Sequence, residues 1–268
     1  LTLGGTEING TRTTVYIRGD ANEMGCHDGA VALGTIIETT GANQVLNVEL
    51  NQEATSETAT IVGGRTAVTI VKLPATAQFI RLDDSGTDDL NPSSTTPLGW
   101  DTELEKDDDT FTHGTSSNDE RITVDEGGDF LFLTAFFTED DTSDVRNSPW
   151  QRWRKNGSVI DYGAGGTYNR SAPSDDGAGE ANDAGNWSGV MIDLLGNDYV
   201  DVVSEQLGTA GTMENDRKGV QGVYLTPLFA DTPVLDNASG ATNVTGTSAY
   251  FNGNMTFGGG AGTGVQVA

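Results

Sequence analysis

The sequence predicts an all-β protein, a β-sandwich with little helix, on three observations. Thr and other β-branched residues fall in short runs between clusters of Gly, Asn and Asp, as expected of pleated strands joined by tight turns. Gly is abundant at 36 residues while Pro is sparse at 7. No window carries the apolar spacing of an amphipathic helix. At 268 residues the chain can build one large or two modest domains with real cores.

The strands fall into a repeated pattern. "GTIIETTGANQVLNV" begins at Gly34 and "GVMIDLLGNDYVDVV" at Gly189. At one constant offset, Gly34 matches Gly189, Ile36 Met191, Ile37 Ile192, Glu38 Asp193, Gly41 Gly196, Val45 Val200 and Val48 Val203. The register resumes with Val68 and Val223, Ile70 and Leu225, Leu73 and Leu228. This reads as a diverged duplication of strand, Gly turn, strand, long loop, strand. "RTAVTIVKL" and "GVQGVYLTPL" close the two copies as alternating strands. Upstream of the second copy, "RITVDEGGDFLFLTAFF" (Arg121–Phe137) reads as a strand, an Asp-Glu-Gly-Gly turn and a long buried strand. Its counterpart would fall before residue 1. The first copy is therefore expected to be a half sandwich, completed by strands from outside residues 1–80.

The second copy resembles the globular jelly roll of the complement and tumour-necrosis-factor superfamily. The resemblance is carried, in order, by "ITVDEGGDFLFLTAFF", "RKNGSVI", "SGVMIDLLGNDYVDVVSEQ" and "GVQGVYLTPL". The "GNDYV" run at Gly196–Val200 departs slightly from the family's Gly-Asp spacing. The resemblance implies a ten-stranded jelly roll over roughly residues 110–229, of a kind commonly found as trimeric binding or structural heads. What transfers is the fold, not a ligand. The expected organisation is a partial jelly-roll repeat at 1–80, an acidic linker at 81–109, a jelly-roll domain at 110–230 and an extended tail at 231–268.

The tail alternates strictly in "TSAYFNGNMTF", with Ala249, Phe251, Met255 and Phe257 on one side. "ATNVTGTSAYFNGNM" is also similar to the opening strands of fibronectin-type-III-like modules. An apolar strand without a partner and a front with a vacancy suggest a donor strand that completes a neighbouring copy, giving a head-to-tail homopolymer. The alternative is an excerpt from a longer multidomain protein. The first residue, Leu1, reads as a mature or cut end, and extracellular or particle-surface residence is the expectation.

Charge narrows the partners. Forty acidic against 14 basic residues give a formal net charge of −26, which repels nucleic acid and anionic membranes. No apolar run approaches the roughly 18 residues of a membrane helix. Cys26 is the one cysteine, so no disulfide forms within the chain. Cys26 and His27 are adjacent and would face opposite sides of a strand, which is no nucleophile–base pair. With His113 as the other histidine and no hydrolase, phosphate-loop or zinc motif, an enzyme is not expected.

Acidic loops are candidate calcium ligands: Asp83, Asp84, Asp88 and Asp89; Asp107–Asp109; Asp140, Asp141 and Asp144; Asp175, Asp176, Glu180 and Asp183. Calcium takes six to eight oxygens from flexible carboxylate loops, but none of these has EF-hand spacing, and plain solvation is the competing reading. Trp150 and Trp153 flank a basic spot with Arg152 and Arg154, either a glycan-stacking or docking patch or core packing with local charge balance. Asn9, Asn156, Asn169, Asn186, Asn237, Asn243 and Asn254 open N-glycosylation triplets. Asn156-Gly157 also suits a type I′ hairpin tip. The functional expectation is a structural subunit of an extracellular filament, fibre or surface appendage. The alternative is an adhesin or carbohydrate-binding module.

Overall fold

A computed structural model describes residues 1–8, 11, 33–37, 39, 43–49, 68–84, 88–139, 146–167, 169–170, 184–208, 214–226, 234–236, 241–242, 250–256 and 263–267. They fall in two units, Leu1–Tyr224 and Leu225–Ala268. The first opens with a hairpin, β1 (Thr2–Leu3) and β2 (Thr6–Glu7), about Gly4 and Gly5 at φ 60° and 85°. Two consecutive positive φ values are the two-residue hairpin turn that Gly-Gly accommodates without strain. β3 (Leu46–Asn47) pairs with β1.

Two larger sheets follow. Their strands, in chain order, are β4 (Phe79–Asp84), β5 (Thr96–Pro97), β6 (Thr102–Lys106), β7 (Phe111–Thr112) and β8 (Ile122–Val124). Next come β9 (Gly128–Glu139), β10 (Arg146–Asn147), β11 (Pro149–Lys155), β12 (Ser158–Val159) and β13 (Gly165–Gly166). β14 (Asn169–Arg170), β15 (Ala184–Leu194), β16 (Tyr199–Gln206) and β17 (Glu214–Tyr224) complete the unit. One sheet runs β15-β9-β17-β4-β6; the other runs β12-β11-β16-β8-β7, with β13 on β11 and β5 on β16. β10 pairs with β14.

The pairing is nested. β4 pairs with β17, β8 with β16, β9 with β15 and β11 with β12, all antiparallel. Successive pairs alternate between the two sheets, so the chain is one long hairpin rolled around a core, which is a jelly roll.

Alternation fills that core. Phe130, Phe132 and Phe136 of β9 point inward with Ile80, Leu82, Val190, Val220 and Tyr224 of the same sheet. Phe111, Ile122, Val124, Trp153, Val200 and Val202 come from the facing sheet. Phe132 lies between Phe130 and Trp153, with ring centroids 5.9 and 5.8 Å away. Tyr224 stacks on Phe130 at 4.7 Å, and its hydroxyl donates to the Gly127 carbonyl at 2.9 Å. A buried polar chain crosses the core: Asn186 Nδ2 donates to Gln151 Oε1 at 2.5 Å and Gln151 Nε2 to Ser204 Oγ at 3.1 Å, while the Ser204 hydroxyl donates to the Leu90 carbonyl. Each buried member thus has a partner, which such groups require.

Three expectations need correction. Residues 81–109 are not a linker: β4 and β6 lie in that region, and Leu90, Leu98 and Trp100 are buried in the core. β4 alternates Ile80, Leu82, Asp84 inward, and its place in the sheet next to β17 makes it integral to the sandwich.

The expected half sandwich at 1–80 also differs. Residues 33–37 and 68–78 carry no strand, and Val68 and Ile70 are exposed at 61% and 74%. Instead, Ile36 N–H donates to Gln221 Oε1, Gln221 Nε2 donates to Thr35 Oγ1 at 2.7 Å, and Gly34 lies against the Trp187 ring. Gln221 and Trp187 belong to the face of their sheet opposite the aromatic core, so 33–37 covers that face. Phe137 on this second face of β9 is only 1% exposed. Strand repetition in sequence became coverage in space, because an outer face carrying Trp187, Leu133 and Phe137 is itself apolar.

The second unit corrects the tail. β18 (Val234–Asp236), β19 (Ala241–Thr242), β20 (Tyr250–Thr256) and β21 (Thr263–Val267) form an antiparallel sheet. β20 is its centre, with β18 and β19 along one side and β21 along the other. A donor strand needs free backbone groups to offer a neighbour. β20 spends them within its own chain. Phe251 and Met255 lie in β20, while Ala249 and Phe257 are outside the described residues.

Candidate functional site

The acidic stretch expected to hold calcium closes instead on a lysine. Lys218 stands opposite Asp84 in the β17–β4 register, inward like Val220 and Tyr224. Its Nζ lies 2.5 Å from Asp84 Oδ2 and also contacts Asp88 Oδ2. The Lys218 side chain is 0% exposed, Asp84 7% and Asp88 42%. Gly99 N–H donates to Asp88 Oδ2 at 3.2 Å, and the Trp100 ring lies 5.5 Å from the ammonium. Asp89 Oδ1 accepts from Asn91 N–H at 2.8 Å. Among the described residues no three His, Cys, Asp or Glu side chains converge as a metal site. Asp83 is in β4, facing Gly219 across the ladder. Asp140, Asp141, Asp144, Asp175, Asp176, Glu180 and Asp183 lie outside the described residues.

Trp150 and Trp153 are three apart on β11 and therefore face opposite sides of the sheet. Trp153 is 1% exposed, and its Nε1–H donates to Ser188 Oγ at 3.1 Å. A stacking platform made of both rings is thereby excluded. Arg152 pairs with Glu205 at 2.8 Å. Arg154 forks onto Asp201, with Nε 2.9 Å from Oδ1, and that bond raises the guanidinium above its ordinary value. The basic spot is thus balanced by β16, cross-strand.

The hairpin tip is as expected. Asn156 and Gly157 have φ of 48° and 78°, joining β11 to β12. Asn156 Oδ1 accepts from Tyr199 N–H at 2.9 Å, and its Nδ2 donates to Asp198 Oδ1 at 2.7 Å. Asp198 also accepts from Leu195 N–H at 2.8 Å and pairs with Lys155 at 2.9 Å. These donors, the Leu195 amide foremost, lower its carboxyl to about 2.

Asn186 is buried at 9% and bonded to Gln151, which removes it from the glycan acceptors. Asn169 and Asn254 lie in β14 and β20; Asn9, Asn237 and Asn243 are outside the described residues. His113 is enclosed, with Nε2 donating to the Asp119 carbonyl at 3.0 Å and Nδ1 3.2 Å from Glu103 Oε1. Cys26 and His27 are outside the described residues. A cavity of about 240 Å³ lies between Leu3, Thr6, Glu7, Ile8, Ile37 and Arg81. Among the described residues no helix is long and apolar enough to cross a membrane.

No family model matches the chain, and no curated protein does. Solved structures do. The globular domain of zebrafish complement 1qA is similar at 14% identity, covering 56% of this chain and 97% of its own, with a TM-score of 0.40. Murine APRIL, at pH 5.0, is similar at 13% identity over 56% of this chain and 100% of its own, with a TM-score of 0.37. The jelly-roll assignment itself stands on the nested strand pairing.

Lys218 and Trp100 are what sequence reasoning missed. The available signal was alternation: in "RKGVQGVY" the lysine shares the inward parity of Val220 and Tyr224.

Proposed function

We propose that this chain is a non-catalytic, extracellular structural module that associates with copies of itself in a fibre or surface assembly. The observation that carries the reading is an apolar edge on an acidic protein. Met191 of edge strand β15 and Tyr162 are 62% and 57% exposed. They adjoin, the Tyr162 hydroxyl reaching the Met191 carbonyl at 3.5 Å. Val159 on edge strand β12 is exposed at 43%. Elsewhere a net charge of −26 keeps copies apart. Exposed apolar side chains at strand edges are where self-association is favourable. Strand donation by β20 is not part of the reading.

Light scattering on the eluting full chain tests it. The expected result is a concentration-dependent oligomer that tightens with salt as charge repulsion is screened. Met191→Glu should shift it toward monomer. A monomer at all concentrations and salts, or an oligomer indifferent to Met191→Glu and Tyr162→Glu, would refute the reading.

A further inference from the structure

We propose that Lys218 and Asp84 condense into a side-chain amide, a covalent clamp between β4 and β17. The inference is independent of the assembly reading above and rests on the geometry of the buried cluster.

Three features of that cluster suit the reaction. Nζ of Lys218 and Oδ2 of Asp84 are 2.5 Å apart, and the two residues are directly opposite in register. Holding an amine against a carboxyl in this way replaces a bimolecular encounter with an intramolecular one, worth an effective concentration of about 10⁵ M or more when well oriented. The pair is also dry: Lys218 is wholly enclosed and Asp84 nearly so, walled by Trp100. In bulk water the solvent drives an amide-forming equilibrium backward; a water-excluding site removes that pressure. Third, a second carboxylate, Asp88, touches the same Nζ and is fixed by the Gly99 amide. At 42% exposure it joins the dry pair to solvent.

The atoms balance without a further reactant. Asp88 takes a proton from the Lys218 ammonium, leaving a neutral amine. The nitrogen lone pair attacks Cγ of Asp84, forming the C–N bond. Asp88 returns protons to one Asp84 oxygen, the C–O bond breaks, and water departs along the Asp88 side. Two of the three ammonium protons leave in that water, one stays on the amide, and Asp88 ends as it began. One positive and one negative buried charge disappear together, which also removes the cost of keeping an ion pair out of water. Asp84 rather than Asp88 is the bonded partner, because Asp84 is the buried one and faces Lys218 across the ladder.

The clamp would join the first and last strands of the nested pairs. β4 could then no longer peel from β17 when the chain is pulled or partly unfolded.

Mass spectrometry of the intact, denatured full chain tests this. The expected mass is one water below that of the sequence, with digestion yielding a branched peptide that joins the Asp84 and Lys218 segments. Lys218→Arg and Asp84→Ala should return to the sequence mass. Asp88→Ala, which keeps both reacting groups, should remain largely unjoined. Wild-type protein at full sequence mass overturns the proposal, and so does a water loss confined to one linear peptide, since that is a succinimide. Branched peptide at unchanged yield in Asp88→Ala overturns the proton-carrying role of Asp88. Should the Asp84 variant fail to fold, the wild-type peptide map alone decides.

Discussion

Gly222 sits near the C-terminal end of β17, between Phe132 of β9 and Ile80 of β4 in the ladder. A Cβ at this position would lie 2.5 Å from Phe132 Cε1, 2.8 Å from Cδ1 and 3.0 Å from Ile80 Cγ2. Carbon atoms rest at about 3.5–4.0 Å, so the Phe132 ring would have to retreat by about 1 Å. It has nowhere to go, being packed against Phe130 and Trp153. Overpacking of this kind costs about 1–3 kcal/mol, against about 0.5–1 kcal/mol recovered by removing a strand glycine. Gly222→Ala should therefore destabilise the protein by about 1–2 kcal/mol, a fall in Tm of about 2–8 °C for a domain of this size. Urea unfolding followed by tryptophan fluorescence measures it. The mechanism predicts a cycle: Phe132→Leu makes room, so the double variant should be at least about 1 kcal/mol more stable than the sum of the single effects implies. Single effects that add to within about 0.5 kcal/mol would refute the packing argument.

Other perturbations follow from the same contacts. Trp153→Ala should cost about 3–5 kcal/mol, by emptying the core and orphaning Ser188, seen as a lower urea midpoint. Trp150→Ala, on the opposite face, should cost far less in the same measurement. Asp198 binds its proton more weakly folded than unfolded, so its stabilisation is present above its ordinary 3.8 and is lost as pH falls through about 2. Solvent screening at this partly exposed site limits the effect to about 1 kcal/mol. Asp198→Asn should lower the melting temperature slightly at pH 7 and flatten its decline between those two pH values. If the chain is made in a glycosylating host, peptide mass spectrometry should find Asn186 bare, because it is buried against Gln151.

Much of the sandwich was legible because its signals are local. The Asp125–Gly128 turn, the alternating β9, the Asn156-Gly157 tip and the successive strands β15 and β16, which lie in opposite sheets, all follow from neighbouring residues. β4 did not, because "FIRLDDSGTDD" looks like a solvated acidic run until Lys218, far along the chain, closes on Asp84. Trp153 looked like a companion of Trp150 until strand parity separated them. Val68 and Ile70 alternate as a strand would, yet no partner strand among the described residues holds them and they are exposed. For the tail, alternation revealed β20 but not its neighbours, since β18, β19 and β21, at 3, 2 and 5 residues, are too short to show a period.

Amide hydrogen exchange across residues 79–84 tests most directly the claim that the jelly roll is closed by its own β4. The account predicts protection there comparable to that of β9 and β17, since β4 lies between β17 and β6 in the ladder. Exchange of these amides at the rate of an open acidic loop, with β9 and β17 still protected, would contradict it.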